Sequence, residues 1–305
     1  MRVIFFGSGP FGLPSLQQLT RHHEVALVVT QPDRPAGRKR TLQMTPIGAF
    51  AGENGLEIIK PENVNVEKIR DQIHEVRADA FVVIAFGQKL GPELLGNSFA
   101  INLHASLLPK FRGAAPINWA MMHGETTTGV SVITLAQRMD AGDVLASGST
   151  RIDPCETAGE LHDRLADLGP ALVLEVLQQF EQGKLEPATQ DESLVSLAPK
   201  MSKEIGTVRF DQPSSQVRAR IHGLTPWPGC TVHLGDERLK LLRVKDHEDR
   251  DSDSEPGVLL DDCTIACGSG RLELLSVQAS GGKAMTFQAY LQGHQVPPGA
   301  RFTSK

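Results

Sequence analysis

Two polar side chains stand two residues apart at the end of an apolar run, Asn102 and His104 in Phe99-Ala100-Ile101-Asn102-Leu103-His104. Residues two apart on a strand point to the same face. A strand here therefore turns a carboxamide and an imidazole into one space. Carboxamide N–H groups can donate to a developing oxyanion, and a neutral imidazole can take a proton from a nucleophile near pH 7. That pairing suits acyl transfer. The alternative is an Asn and a His that cap a turn. Ser106-Leu107-Leu108-Pro109 follows, then a glycine turn at Arg112-Gly113 and a helix predicted from Ala114.

The elements that must position this pair read as a parallel sheet. Val3 to Phe6 is a buried strand, Leu13 to Thr20 a helix and Val25 to Val29 the next strand. Such a βαβ opening predicts a Rossmann-like, mostly parallel α/β domain. Ile47 to Asn54 and Val66 to Val76 read as helices, with Leu56 to Ile59 a strand between them. Ala80 to Ala85 is the strongest buried-strand signal in the chain. Phe86, Gly87, Gln88, Lys89 and Leu90 follow at its C-terminal end, where open parallel sheets place ligands. Asn102 and His104 end the next strand at the same edge, so two strand ends converge on one crevice. Thr128 to Leu135 is a further strand leading into Met139-Asp140-Ala141-Gly142-Asp143. A carboxylate beside a histidine would stabilise imidazolium and fix the ring. Spacing alone slightly favours an ordinary Asp-Ala-Gly turn here, and both Asp140 and Asp143 are available. Val144 to Ile152 predicts an antiparallel strand at the sheet's end. Glu156 to Gln182 has helical apolar spacing, with a kink or break expected at Gly169-Pro170.

The turn after the first strand matches G-x-G-x-x-G at Gly7, Gly9 and Gly12, which raises dinucleotide binding as a rival reading. Against it, the second strand ends Val29-Thr30-Gln31 without the acidic residue that would hold a ribose. Pro10 also removes a backbone donor from the turn. The glycines read instead as a tight turn with close helix–strand packing.

Length and composition bound the rest. A chain of 305 residues predicts two domains. No stretch reaches the roughly 18 apolar residues of a membrane helix. Four cysteines make no disulfide scaffold and no His/Cys/Asp set shows metal-ligand spacing, so a cytoplasmic, metal-free protein is expected. The net charge of −5 argues against a general polyanion binder but leaves room for a local basic patch. Gln31 to Thr45 is such a patch, a long polar loop with Arg34, Arg38, Lys39 and Arg40 among prolines and a glycine. Phosphate contacts need cations clustered in this way, although most charge clusters are only solvated surface.

From Gly206 the pattern changes to short strands and turns. Candidates are Val208–Phe210, Thr231–Leu234, Leu239–Val244, Gly257–Leu260, Thr264–Ala266 and Leu272–Gln278, with a helix at Val217–His222. They predict a small β-barrel. Glu186 to Glu204 reads as a linker, and acidic Asp246 to Glu255 as a disordered loop. Lys203, Arg209, Arg218, Arg220 and Lys283 are cations available to a nucleic-acid face there.

Asn-x-His followed by SLLPKFRGAAP resembles the signature of folate-dependent formyltransferases. Three further stretches resemble the branch of that family acting on methionyl-tRNA: TQPDRPAGRKR (Thr30–Arg40), KMSKEIGTVRF (Lys200–Phe210) and GLTPWPG (Gly223–Gly229). The similarity runs from Arg2 to about Phe302. It implies transfer of a formyl group from 10-formyltetrahydrofolate to the α-amino group of methionyl initiator tRNA. It implies Asn102, His104 and Asp140 as catalytic residues, Asp140 by its place before Ala-Gly, although the preceding loop is a few residues shorter than the commonest pattern. The pteridine is expected in the crevice at Phe86, Gly87, Gln88 and Leu90, with Ser106, Leu107, Leu108 and Pro109 completing the folate site. Arg34, Arg38, Lys39 and Arg40 are expected to reach the tRNA acceptor stem, and the C-terminal barrel becomes an OB-like domain that helps hold the tRNA. The implied organisation is a catalytic domain over 1–185, a linker over 186–205 and the tRNA-binding barrel over 206–305, working as a monomer. A rival of the same chemistry takes a small amine acceptor, such as a sugar nucleotide or glycinamide ribonucleotide. The basic loop and the barrel argue against it, since a small acceptor needs neither.

Overall fold

The structure, a computed structural model, describes residues 1–36, 41–248 and 253–304. Two compact units divide the chain. One comprises residues 1–112, 129–149 and 162–196, and the other residues 113–128, 150–161 and 197–305.

In chain order the first elements are β1 (Arg2–Gly7), α1 (Leu13–His22), β2 (Glu24–Val29), β3 (Arg34–Ala36), β4 (Thr41–Gln43), α2 (Pro46–Glu53), β5 (Ile58–Ile59), α3 (Glu67–Glu75), β6 (Ala80–Ile84), α4 (Pro92–Leu95) and β7 (Phe99–His104). They continue with β8 (Arg112–Gly113), α5 (Pro116–Met122), β9 (Thr127–Thr134), β10 (Val144–Arg151), α6 (Ala158–Glu181) and β11 (Leu197–Ala198). The main sheet has the order β10-β9-β7-β6-β1-β2-β5. Strands β5, β2, β1, β6 and β7 run parallel, and β9 pairs antiparallel with β7. Helices cover both faces of a parallel sheet, so its central strands can be apolar throughout. Accordingly Val3, Ile4, Phe5, Phe6, Val82 and Ile84 are all fully buried.

The turn after β1 behaves as a packing device. A Cβ on Gly7 would stand 2.4 Å from the Phe5 ring and 2.9 Å from the Ile84 carbonyl oxygen. The Ser8 and Gly9 N–H groups both donate to the Ala85 carbonyl (3.3 Å each). Two of the donors that could cradle a pyrophosphate are thus committed to the neighbouring turn.

Several expectations are corrected here. α6 is one helix with Pro170 inside it rather than a broken pair. Its stripe of Leu161, Leu165, Val173, Val176 and Leu177 is at most 1% exposed, and that burial offsets the one hydrogen bond a proline removes. Gly169 serves contact, since a Cβ there would lie 2.3 Å from the Leu103 side chain of β7. The helix expected from Ala114 begins at Pro116. The loop over 31–45 contains the β3–β4 ladder. The stretch over 186–204 is no bare linker: it forms a 3-10 turn at Glu192–Leu194 and strand β11, which pairs with β8.

The second unit builds its own sheet from β12 (Cys230–Leu234), β13 (Glu237–His247), β14 (Thr264–Ala266), β15 (Arg271–Ala279), β16 (Ala284–Thr286) and β17 (Phe302–Thr303), with α7 (Ser214–Gly223) and α8 (Phe287–Gly293). The order is β14-β15-β13-β12-β17, with β16 on β15, and the antiparallel sheet curls into a half-barrel. Val208 and Phe210 join its core without forming a strand, and residues 257–260 contribute only isolated bridges. The acidic segment expected to be disordered opens inside β13, where Asp246 pairs with Arg218 at 2.6 Å. Residues 249–252 of it lie outside the described residues. Arg209 pairs with Asp211, and Arg220 donates to the Thr207 and Ile205 carbonyls, so these cations have structural work. Burial pushes the Cys230 and Cys267 thiols up to about 12, which removes both as thiolate nucleophiles at neutral pH.

His222 gives this unit a pH dependence. It is fully buried, accepts from the Val244 N–H at 3.0 Å and faces the Pro154 carbonyl at 3.2 Å. Burial first, and the Arg218 charge second, push its pKa down to about 4. Below pH 6.5 the unfolded chain takes up a proton here that the native state refuses until about pH 4. Stability present above pH 6.5 is therefore lost as pH falls through that window, at about 1.4 kcal/mol per pH unit and ~3 kcal/mol in all. His222→Gln should flatten the fall in urea midpoint between pH 6.5 and pH 4. Equal slopes in the two proteins would contradict this.

Candidate active site

β7 holds Asn102 and His104 between β6 and β9, with Asn102 opposite Val83 on one side and Ile133 on the other. Asn102 is half-buried, and among the described residues its carboxamide makes no hydrogen bond. Its N–H groups are therefore available to a substrate oxygen. His104 is 7% exposed, and its Nε2 lies 2.9 Å from the Phe111 carbonyl oxygen. A carbonyl can only accept, so in the neutral ring Nε2 carries the proton and Nδ1 the basic lone pair. That Nδ1 lies 3.7 Å from Asp140 Oδ2. The separation is too long for a hydrogen bond and short enough for an ion pair once the ring is protonated. Of the two acids considered, Asp140 is the one beside the imidazole.

Asp140 has φ +53, a left-handed conformation that costs a non-glycine residue on the order of 1 kcal/mol. The loop is held from two directions. At its base Thr134 and Asp143 exchange hydrogen bonds: the Thr134 N–H donates to the Asp143 carbonyl and the Asp143 N–H to Thr134 Oγ1, both at 3.0 Å. Gln190 Nε2 donates to the carbonyls of Asp140 at 2.9 Å and Gly142 at 2.7 Å. Its Oε1 accepts from Arg112 Nε at 3.0 Å and Nη2 at 2.8 Å. Glu192 then ties Arg112 to Arg138, at 3.0 and 2.7 Å. The Arg112 guanidinium, and after it that of Arg138, holds the Glu192 carboxyl below its usual range.

The residues expected around a folate sit in two loops at the ends of β6 and β7. Phe86 and Leu90 are buried, and the Phe86 ring meets Phe6 edge-on at 5.6 Å. The Gln88 carboxamide is taken by the Val64 N–H and the Pro61 carbonyl. Gly87 adopts φ +84, as the turn requires. These loops could meet a flat ring through backbone groups and apolar surface. Ser106 is fully buried and donates to the Lys110 carbonyl at 2.6 Å, so its hydroxyl shapes the loop. Leu107, Leu108 and Pro109 are half-exposed beside it. Arg34 lies on β3, largely exposed and 3.9 Å from Glu62. Arg38, Lys39 and Arg40 lie outside the described residues.

Sequence reasoning passed over Gln190, Arg112, Glu192 and Ser196. Ser196 Oγ accepts from the Phe111 N–H at 2.9 Å, and its carbonyl accepts from the Arg112 N–H at 2.9 Å. The signal available was slight: a glutamine in a polar, aperiodic stretch, and an arginine beside a glycine turn.

A carboxamide, an imidazole and a carboxylate gathered on a Rossmann-like sheet are equipment for acyl transfer, and comparison with known proteins narrows the class. Residues 1–177 match the formyl transferase family and residues 200–295 the formyl transferase C-terminal domain. The chain belongs to the formyl transferase family. A methionyl-tRNA formyltransferase of Heliobacterium modesticaldum is 40% identical over 99% of this chain and its own full length. One of Geobacter metallireducens is 38% identical over 99% of this chain and 98% of its own. Among solved structures, the sugar 3N-formyl transferase WlaRD, crystallised with dTDP and 5-N-formyl-THF, has the same fold. The TM-score is 0.67 at 16% identity, over 92% of this chain and 97% of that one. HypX of Aquifex aeolicus in complex with tetrahydrofolic acid gives a TM-score of 0.63 at 20% identity. This chain spans 47% of that longer one.

Proposed function

We propose that this enzyme transfers the formyl group of 10-formyltetrahydrofolate to the α-amino group of methionine on initiator tRNA. What carries the reading is full-length likeness to relatives named methionyl-tRNA formyltransferase, joined to the His104–Asp140 pair and to Asn102 two residues back on β7, whose carboxamide makes no hydrogen bond among the described residues. In this reading residues 1–185 perform the chemistry. Residues 206–305, joined by the segment over 186–205, help hold the tRNA, while Arg34, Arg38, Lys39 and Arg40 meet phosphates of its acceptor stem. The folate lies against Phe86, Gly87, Gln88 and Leu90, with Ser106, Leu107, Leu108 and Pro109 at its side.

The free amine of the methionyl ester attacks the formyl carbon. A C–N bond forms and the carbonyl electron pair moves onto oxygen. Asn102 N–H groups donate to that oxyanion. His104 Nδ1 takes the proton from the attacking nitrogen, and the Asp140 carboxylate, 3.7 Å away, stabilises the imidazolium. As the tetrahedral intermediate collapses, the bond from carbon to folate N10 breaks and His104 returns the proton to N10. Atoms and charge balance with no further reactant.

The acceptor is tested with labelled formyl donor and a panel of methionyl initiator tRNA, methionyl elongator tRNA and free methionine. Label on the initiator tRNA alone is expected. Label on none of them, with folate still bound, would retire the tRNA reading in favour of a small amine acceptor.

A further inference from the structure

Gln190 is 7% exposed and uses its whole hydrogen-bonding capacity. Both lone pairs of Oε1 take donors of Arg112, and both N–H groups of Nε2 reach backbone carbonyls, those of Asp140 and Gly142. An arginine can only donate and a carbonyl can only accept, so one orientation of the amide satisfies the site. Through Glu192, Arg112 is joined to Arg138 on the same loop. The result is a closed ring of contacts around residues 138–142, and Asp140 sits in it at φ +53. Gln190 and Arg112 are both buried, at 7% and 6% exposure, so their part in the ring is played inside the protein. A carboxylate held 3.7 Å from an imidazole can stabilise it only while the loop keeps that position.

We infer that Gln190 is a positioning residue for the reaction, bridging buried Arg112 to the carbonyls of Asp140 and Gly142 so that the Asp140 carboxylate stays beside His104. The inference rests on the formyl-transfer reading for its consequence in turnover, but not for its geometry. Glutamate at 190 keeps the acceptor for Arg112 and loses both donors to the loop. Methionine keeps the volume and loses every hydrogen bond. The two variants separate the loop contact from the arginine contact.

Gln190→Glu and Gln190→Met should each lower kcat about 10- to 100-fold, with KM for folate and tRNA within about threefold of the native value. Asp140→Asn combined with Gln190→Met should lose little more than Asp140→Asn alone, because both act through one carboxylate. A role in folding alone would give additive losses instead. Amide hydrogen exchange supplies a readout independent of turnover. Exchange at residues 138–143 should rise about tenfold in Gln190→Glu while β9 keeps its protection. Native-like exchange in that loop, native kcat in Gln190→Glu, or additive losses in the double variant would each overturn the inference. If the native chain transferred no formyl group, the functional reading would fall and the exchange result alone would decide the role of Gln190.

Discussion

Replacing His104 by alanine is expected to lower kcat for formyl transfer about 10²–10⁴-fold, the usual contribution of a general base. The neighbouring groups explain the size of the effect. Nε2 is committed to the Phe111 carbonyl, so Nδ1 is the basic atom, and Asp140 stands 3.7 Å from it, where the proposed mechanism puts the new positive charge. In the proposed mechanism, an enzyme without this imidazole leaves the amine to lose its proton to water. The variant should remain folded. It removes the hydrogen bond from Nε2 to the Phe111 carbonyl, at a cost of about 1–3 kcal/mol, within what a chain with two cores can absorb. Thermal unfolding and single-turnover rates, measured on one preparation, check both halves. Native turnover in a folded His104→Ala protein would remove the residue from the mechanism.

Asn102→Ala should cost about 10²–10³-fold in kcat, the measured scale for losing one oxyanion donor. The oxyanion exists only in the tetrahedral intermediate and the states flanking it. The loss should therefore fall on kcat, with KM for both substrates nearly unchanged. The carboxamide has no partner among the described residues, so removing it leaves no buried group stranded and little stability is lost. Asn102→Asp should be worse than alanine, because a carboxylate would face the developing negative charge. A loss confined to KM would instead mark Asn102 as a ground-state contact.

What could be read in advance divides along physical lines. The strands β1 and β6 were legible because a strand covered on both faces must be apolar throughout, and β7 from its apolar start, Phe99 to Ile101. Asn102 and His104 were legible because a period of two puts both on one face. That Asp140 lies beside His104 was not legible, since spacing alone did not separate it from Asp143 or from an ordinary turn. At Pro170 local propensity left a kink and a break both open, and the break is ruled out by the tertiary packing that buries the stripe of α6. Gln190 and Arg112 lie 78 residues apart, and nothing near either one marks it as buried. Their role depends on a meeting that only the fold creates. The same holds for Asp246, whose acidic surroundings suggested disorder while its partner Arg218 sits in α7, a distant part of the chain.

The most direct test of the account is one single-turnover experiment. Native protein is mixed with labelled 10-formyltetrahydrofolate and methionyl initiator tRNA, and the ester is then hydrolysed to release the amino acid. The account predicts that the label appears as N-formylmethionine, and that it does so at least about a hundredfold more slowly when His104→Ala replaces the native chain. Label remaining on the folate, or transfer at equal rates by the two proteins, would contradict it.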